Sequence, residues 1–242
     1  MRRGLVLDIE TAPDPELLEA CDTTARAAQG RIWLHRLAAY ALFAFCEDDE
    51  GRVSGFELAS ALVAPAGFAG SWPCEADALA RIEAALAALG EDGIIVSFNG
   101  RRHDLPFLTM RRRCCRVFAP SHLARFGGRT NAAHIDMMEE LAVEGLRWPS
   151  LHEACAAMAI PHAPHDEISN VPAQIRKSES DVLATFLLYL FTRAAQAGAA
   201  RCLDEGWASL AAWCLAQPRA RHRLQFATAP AARAALRTMR IP

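Results

Sequence analysis

The sequence predicts an α/β domain built on one mixed β-sheet flanked by helices. Three observations carry that reading. The chain opens on a short apolar strand followed by two more; a helix, a fourth strand and another helix come next; a long helix follows late. With 242 residues there is material for one generous domain.

Taken in order, residues 4–9 (Gly-Leu-Val-Leu-Asp-Ile) read as a short buried strand, and Pro13 and Pro15 then break regular structure. Residues 37–46 are apolar. Asp48, Asp49, Glu50 and Gly51 make a turn, and 53–59 return, so the first three strands end in a hairpin. Residues 75–89 carry Leu79, Ile82, Leu86 and Leu89 on one helical side and stop at Gly90 and Gly93. Residues 94–98 are apolar on both faces, as a central strand needs, and Asn99-Gly100 ends them. Helix is expected over 104–113, then an irregular basic stretch over 114–132, then a short strand end at His134-Ile135-Asp136. Ser150-Leu-His-Glu153 is a capping box opening a helix to about 159. Pro161, Pro164 and Pro172 mark a loop before a long helix over 173–197, which stops near Gly198. Residues 200–242, with Trp207, Trp213 and Phe226, are expected to be helical and to pack on the rest. The expected division is a main domain over 1–198 and a helical extension over 199–242.

Composition excludes several classes. At 52% hydrophobic and 22% charged residues the chain is neither collagen-like nor disordered. A net charge of −2 attracts no polyanion globally, so a nucleic-acid role must rest on a local basic patch. One Lys, Lys177, stands among 26 basic residues. The eight cysteines form no C-x-x-C pair, so no zinc site is expected. The opening apolar run is too short for a signal peptide and no long apolar stretch spans a membrane. The expected compartment is the cytoplasm, with reduced thiols.

Four acids stand where chemistry wants them. Asp8 and Glu10 are two apart on a strand, hence on one face, where they repel each other and need a cation or protonation. A solvated strand end would explain them as well. Asp104 falls at the start of a helix with Pro106 early in its first turn; capping alone would account for it. Asp181 sits in a strongly apolar helix and needs a partner, unless it is an exposed first-turn acid favoured by the helix dipole.

Taken together, the order of these acids resembles the DEDD exonuclease superfamily. Within it the chain is most similar to predicted 3′–5′ exonucleases related to the proofreading domain of family-B DNA polymerases. The carrying segments are Leu-Asp-Ile-Glu-Thr-Ala-Pro-Asp at 7–14, Phe-Asn-Gly-Arg-Arg-His-Asp-Leu-Pro-Phe-Leu at 98–108 and Glu-Ser-Asp-Val-Leu-Ala-Thr at 179–185. Ser-Leu-His-Glu-Ala at 150–154 and Ala-Ile-Pro at 159–161 add a linking helix, so the resemblance covers roughly 4–195.

The resemblance implies a ribonuclease-H-like fold in which Asp8, Glu10, Asp104 and Asp181 hold two divalent ions, Mg²⁺ or Mn²⁺. Two ions about 4 Å apart suit in-line phosphodiester cleavage, and hard cations suit an all-oxygen site. It implies a metal-dependent 3′–5′ exonuclease acting on single-stranded DNA or RNA ends. Where the family has Tyr four residues, or His five residues, before its last Asp, this chain has Lys177 and Arg176. His103 takes the place of the aromatic before the middle Asp. Lys177 is therefore expected to face the acids from the water-orienting position, and the alternative function is an impaired nucleic-acid-binding module on the same fold. A small-nucleotide phosphodiesterase is a third, and would not need the arginines.

Those arginines are concentrated: residues 101–129 hold eight Arg and one acid, Asp104. Arg101, Arg102, Arg111, Arg112 and Arg113 are candidates for the substrate backbone, against a solvated basic loop. Asn99 and His103 join them as candidate substrate contacts, Asn99 against simple turn chemistry. His162 and His165 are expected at the surface, with either available as a substitute base. Asp136 is expected to cap a helix or support the site. Trp207, Trp213 and Phe226 are expected in the core or an interface rather than stacking on bases.

Overall fold

Strand β1 (Arg2–Pro13) is the axis of the molecule, because residues 4–7 are buried on both faces before the acids begin. The structure is a computed structural model and describes residues 1–65, 73–128, 130–143, 147–162, 171–217 and 220–239. Helix α1 (Pro15–Ala20) follows, with Asp14 as its cap and Pro15 in its first turn, so the proline expected to break structure starts a helix. Strands β2 (His35–Glu47) and β3 (Val53–Leu62) form the expected hairpin. Helix α2 (Glu75–Ala87), strand β4 (Ile94–Ser97) and helix α3 (Asp104–Cys114) come next.

The stretch expected to be irregular contains a short helix, α4 (Leu123–Phe126). Its Leu123 and Phe126 are buried against the α3 side of the sheet, an anchoring too short to leave a periodic signal. Strand β5 (His134–Asp136) leads into α5 (Met137–Glu140). Helix α6 (Leu151–Ala157) starts on the expected capping box: Ser150 Oγ accepts from the Glu153 N–H at 3.2 Å, and Glu153 Oε2 accepts from the Ser150 N–H at 2.7 Å. Helix α7 (Val171–Ala197) takes Pro172 into its first turn rather than leaving it in the loop. Helices α8 (Ala200–Leu215), α9 (Leu224–Thr228) and α10 (Pro230–Met239) complete the described chain.

The sheet order is β3-β2-β1-β4-β5. β1 and β2, and β2 and β3, run antiparallel; β4 lies parallel to β1, and β5 parallel to β4. This mixed five-stranded sheet flanked by helices is of the ribonuclease-H-like kind. Alternation along β1 divides the molecule into two cores. Leu5, Leu7 and Ile9 pack with α2, α3 and α4 on one face. Val6 faces the other side, with Phe43, Phe45 and the apolar stretch of α7. Asp8 and Glu10 continue that second face, so strand geometry alone aims them at α7.

The C-terminal helices belong to this second core. Trp207, Leu210, Cys214 and Phe226 are buried with Phe186, and the Trp207 indole N–H donates to the Phe226 carbonyl at 3.0 Å. Trp213 meets Phe43 edge-on at 5.5 Å between ring centroids. Among the described residues no helix is long and apolar enough to cross a membrane.

Candidate metal centre

One carboxylate oxygen from each of Asp8, Glu10 and Asp181 lies within 4.8 Å of the other two. β1 supplies the first two acids and α7 the third. Asp8 Oδ2 is buried and meets no hydrogen-bond partner among the described residues. An orphaned anionic oxygen is costly in a folded protein and calls for a cation. Lys177, one helical turn before Asp181, reaches the same place: its ammonium bonds to Glu10 and to Asp181 Oδ2, the latter at 3.0 Å.

Asp104 is buried at the start of α3 and stands outside that triplet, near enough for its charge to be felt by Asp8 and Glu10. The turn before it is tightly held. Asn99 adopts a left-handed φ of 67°. Asp136 accepts from the N–H groups of Asn99 at 2.8 Å, Arg101 at 2.9 Å and Met138 at 3.1 Å, so one side chain both clamps the turn and caps α5. A Cβ on Gly100 would lie 2.4 Å from Ser97 Oγ, so only glycine fits there. His103, its ring parallel to that of Phe107, bonds to Asp104 Oδ1 at 2.8 Å.

His162 corrects an expectation. Its side chain is 2% exposed, not at the surface, and its Nε2 lies 2.9 Å from Asp181 Oδ1. Asp181 is thus gripped on one oxygen by His162 and on the other by Lys177. The residues after α6 deliver this contact, so His162 reaches the site as the alternative to a surface position allowed. His165 lies outside the described residues. Arg176, five residues before Asp181, is exposed.

The electrostatics follow from this crowding. Burial, then the charges of Asp181 and Glu10, push Asp8 well above the usual carboxylate range. Burial also raises Glu10 against the pull of Lys177, and Asp104 against the bond from His103. Burial works upward on Asp181 too, but there the His162 bond and the Lys177 charge win and hold it low. Burial opposes the charge on Lys177, yet Asp8, Asp181 and Glu10 outweigh it and hold the ammonium above its ordinary value. Three converging carboxylates, one of them orphaned, fit a hard divalent cation such as Mg²⁺ or Mn²⁺.

The arginines separate into three groups. Arg111 and Arg112 are turned inward, each side chain 7% exposed. Arg111 forks onto Glu75 at 2.7 and 2.5 Å, and Arg112 pairs with Glu83. Their expected role on substrate gives way to tying α3 to α2, because a buried guanidinium needs a carboxylate. Arg101 is knitted to the carbonyls of Gly128 and Asn131, both at 2.9 Å, and to Glu139. It braces the turn before Asp104. Arg102, half-exposed and stacked 3.8 Å above Trp148, and Arg113, exposed on α3, remain open to solvent. The Asn99 backbone serves the turn.

The sequence matches no protein-family model and no curated protein. Among solved structures, one of exonuclease I aligns at a TM-score of 0.49 and 19% identity, covering 81% of this chain and 41% of that one. A zinc-bound complex of E. coli exonuclease I with single-stranded DNA aligns at 0.49 and 20%, covering 81% and 42%. The family-B DNA polymerase of Pyrobaculum calidifontis aligns at 0.49 and 11%, covering 93% and 27%. The chain therefore spans about two fifths of exonuclease I and about a quarter of the polymerase. What the chain can do rests on its own side chains.

Proposed function

We propose that this chain is a metal-dependent 3′–5′ exonuclease acting on single-stranded nucleic-acid ends. The observation that carries the reading is the orphaned Asp8 oxygen within the Asp8–Glu10–Asp181 triplet. Asp8, Glu10 and Asp181 would hold one divalent ion directly, and Asp104 would complete a second position. Bound ions would supply an activated water and stabilise the leaving oxygen in phosphodiester cleavage. The protein's own contribution is positioning. His162 fixes the orientation of Asp181, and Asp136 with Arg101 fixes the turn that presents Asp104. Arg102, which also pairs with Glu139, would meet a phosphate of the strand.

Lys177 distinguishes the main reading from an impaired binding module, because its ammonium already occupies oxygens a cation would take. It can donate a hydrogen bond to a water but, while charged, cannot accept a proton from it. The test is cleavage of end-labelled single-stranded DNA and RNA with Mg²⁺ or Mn²⁺ and with chelator, for wild type and Asp8→Asn. Metal-dependent loss of 3′-terminal nucleotides, abolished in the variant, is expected. Binding with no cleavage at any metal concentration would leave the binding-module reading standing.

A further inference from the structure

Trp33 is 67% exposed, which is unusual for so large an apolar ring. It sits in a single 3₁₀ turn, Ile32–Leu34. Leu34 is buried, Ile32 packs on the edge of the core, and the Asp14 N–H donates to the Leu34 carbonyl at 2.8 Å. The residues on either side of Trp33 are therefore anchored, and the indole is held outward on a firm base. It forms one wall of a groove of about 290 Å³ whose other walls include Leu105, Pro106 and Arg113 of α3, with Phe126 and Gly127 opposite. Leu105 and Pro106 directly follow Asp104 in α3, and the groove lies on the α3–α4 side of the sheet.

No carboxylate lines this groove among the described residues; of its basic residues, Arg101 and His134 are engaged inside the fold, and Arg113 is exposed. Arg111 and Arg112 are consumed inside the fold, which leaves Arg113 as the exposed cation of that run. A flat aromatic face with a cation and no anion beside it matches a nucleobase and its phosphate.

We propose that this groove is a subsite for one nucleotide of a single strand, its base stacking on Trp33 and its phosphate facing Arg113. The inference rests on the exonuclease reading of the four acids and adds a place where one nucleotide of the strand would be held. Because every base has a π-face, the subsite would be tolerant of sequence.

The experiment is equilibrium binding of the full chain to a labelled oligothymidylate of about ten nucleotides, with metal chelated so that nothing is cut. Wild type, Trp33→Ala, Trp33→Phe and Arg113→Ala are compared, and the strand is also made with single abasic positions. Trp33→Ala should weaken binding by about tenfold, and Trp33→Phe by much less. One abasic position should cost wild type a similar factor and cost Trp33→Ala little more. Arg113→Ala should reduce the slope of log affinity against log salt by about one. Trp33→Ala binding as tightly as wild type would overturn the subsite, as would an equal loss on every abasic strand or no binding by wild type. Cleavage by wild type with metal is read separately. A chain that binds through Trp33 and does not cut keeps the groove and loses the exonuclease reading; one that cuts with Trp33 irrelevant to binding does the reverse.

Discussion

At the scale of single residues, Asp8 and Lys177 are two sides of one balance. Asp8 is half-buried, with its Oδ2 fully covered, beside two other acids, and its raised folded-state value means that the metal-free fold loses stability as pH rises through it. Asp8→Asn should therefore leave the metal-free protein at least as stable as wild type by thermal unfolding, while abolishing cleavage. A loss of several degrees would contradict this. Lys177 pairs with Glu10 and Asp181 and would compete there with a cation. Lys177→Met should tighten Mn²⁺ binding on the order of tenfold, read by calorimetry at neutral pH, and lower the stability of the chelated protein. Unchanged affinity would mean that the ammonium swings clear at no cost. The sequence had marked both residues, since four-residue spacing puts Lys177 over Asp181 on any helix. His162 was legible only as the alternative to a surface histidine, because its contact with Asp181 joins residues distant in the chain.

Elements are held in register by buried charges. Glu179, on α7 between Lys177 and Asp181, bonds to Ser60 of β3, to His222 at 2.6 Å and to Arg223 at 2.7 and 2.9 Å. It sets the rotation of α7 and hence the aim of Asp181. Burial alone would raise its carboxyl, but bonds from His222, Ser60 and Arg223 hold it down at about 2 against an ordinary 4.5. A depressed carboxylate stabilises the fold above its unfolded value, and that contribution is lost as pH falls from 4.5 towards 2. The contribution is at most roughly 3 kcal/mol. Denaturant unfolding of wild type and Glu179→Gln should show the stability gap between them closing across that window. A gap independent of pH would refute the assignment. The turn before Asp104 behaves similarly: Asp136→Ala strands three N–H groups and should cost about 2 kcal/mol, with cleavage reduced along with stability. Loss of neither would mean that Asn99–Arg101 is held by Arg101 alone.

Over the whole molecule the two cores have different consequences for the site. The α2–α3–α4 side carries Asp104, whereas the α7 side carries Asp181 and is closed by α8, α9 and α10. Trp207 lies at the centre of that closure, so Trp207→Ala should cost about 3–5 kcal/mol. Because α7 packs directly on α8, the same change should loosen metal binding beyond what simple unfolding explains, measured as affinity of the folded fraction. A variant destabilised by that amount with unaltered Mn²⁺ affinity would show that the C-terminal helices support the fold and not the centre. Divalent ion should raise the unfolding temperature of wild type, as any ligand of the folded state does, and leave Asp8→Asn much less affected.

What the sequence by itself determined is what local pattern can encode. Strand alternation put Asp8 and Glu10 on one face, the apolar run over 94–98 made a central strand, and Ser150 with Glu153 announced a helix start. Glycine at 100 and the late acid at 181 were legible in the same way, as were the helices over 75–89 and 173–197 within a few residues at their ends. Tertiary structure decided which charges are spent inside and which face out. Arg111, Arg112 and Arg113 are adjacent and chemically identical, yet two find Glu75 and Glu83 on α2 and one remains exposed, because only the docking of α3 on α2 tells them apart. His162, Glu179 and the outward Trp33 were settled by the same cause: each depends on residues distant in the chain, whose approach follows from burying two apolar faces of one sheet and leaves no trace in the spacing of neighbours.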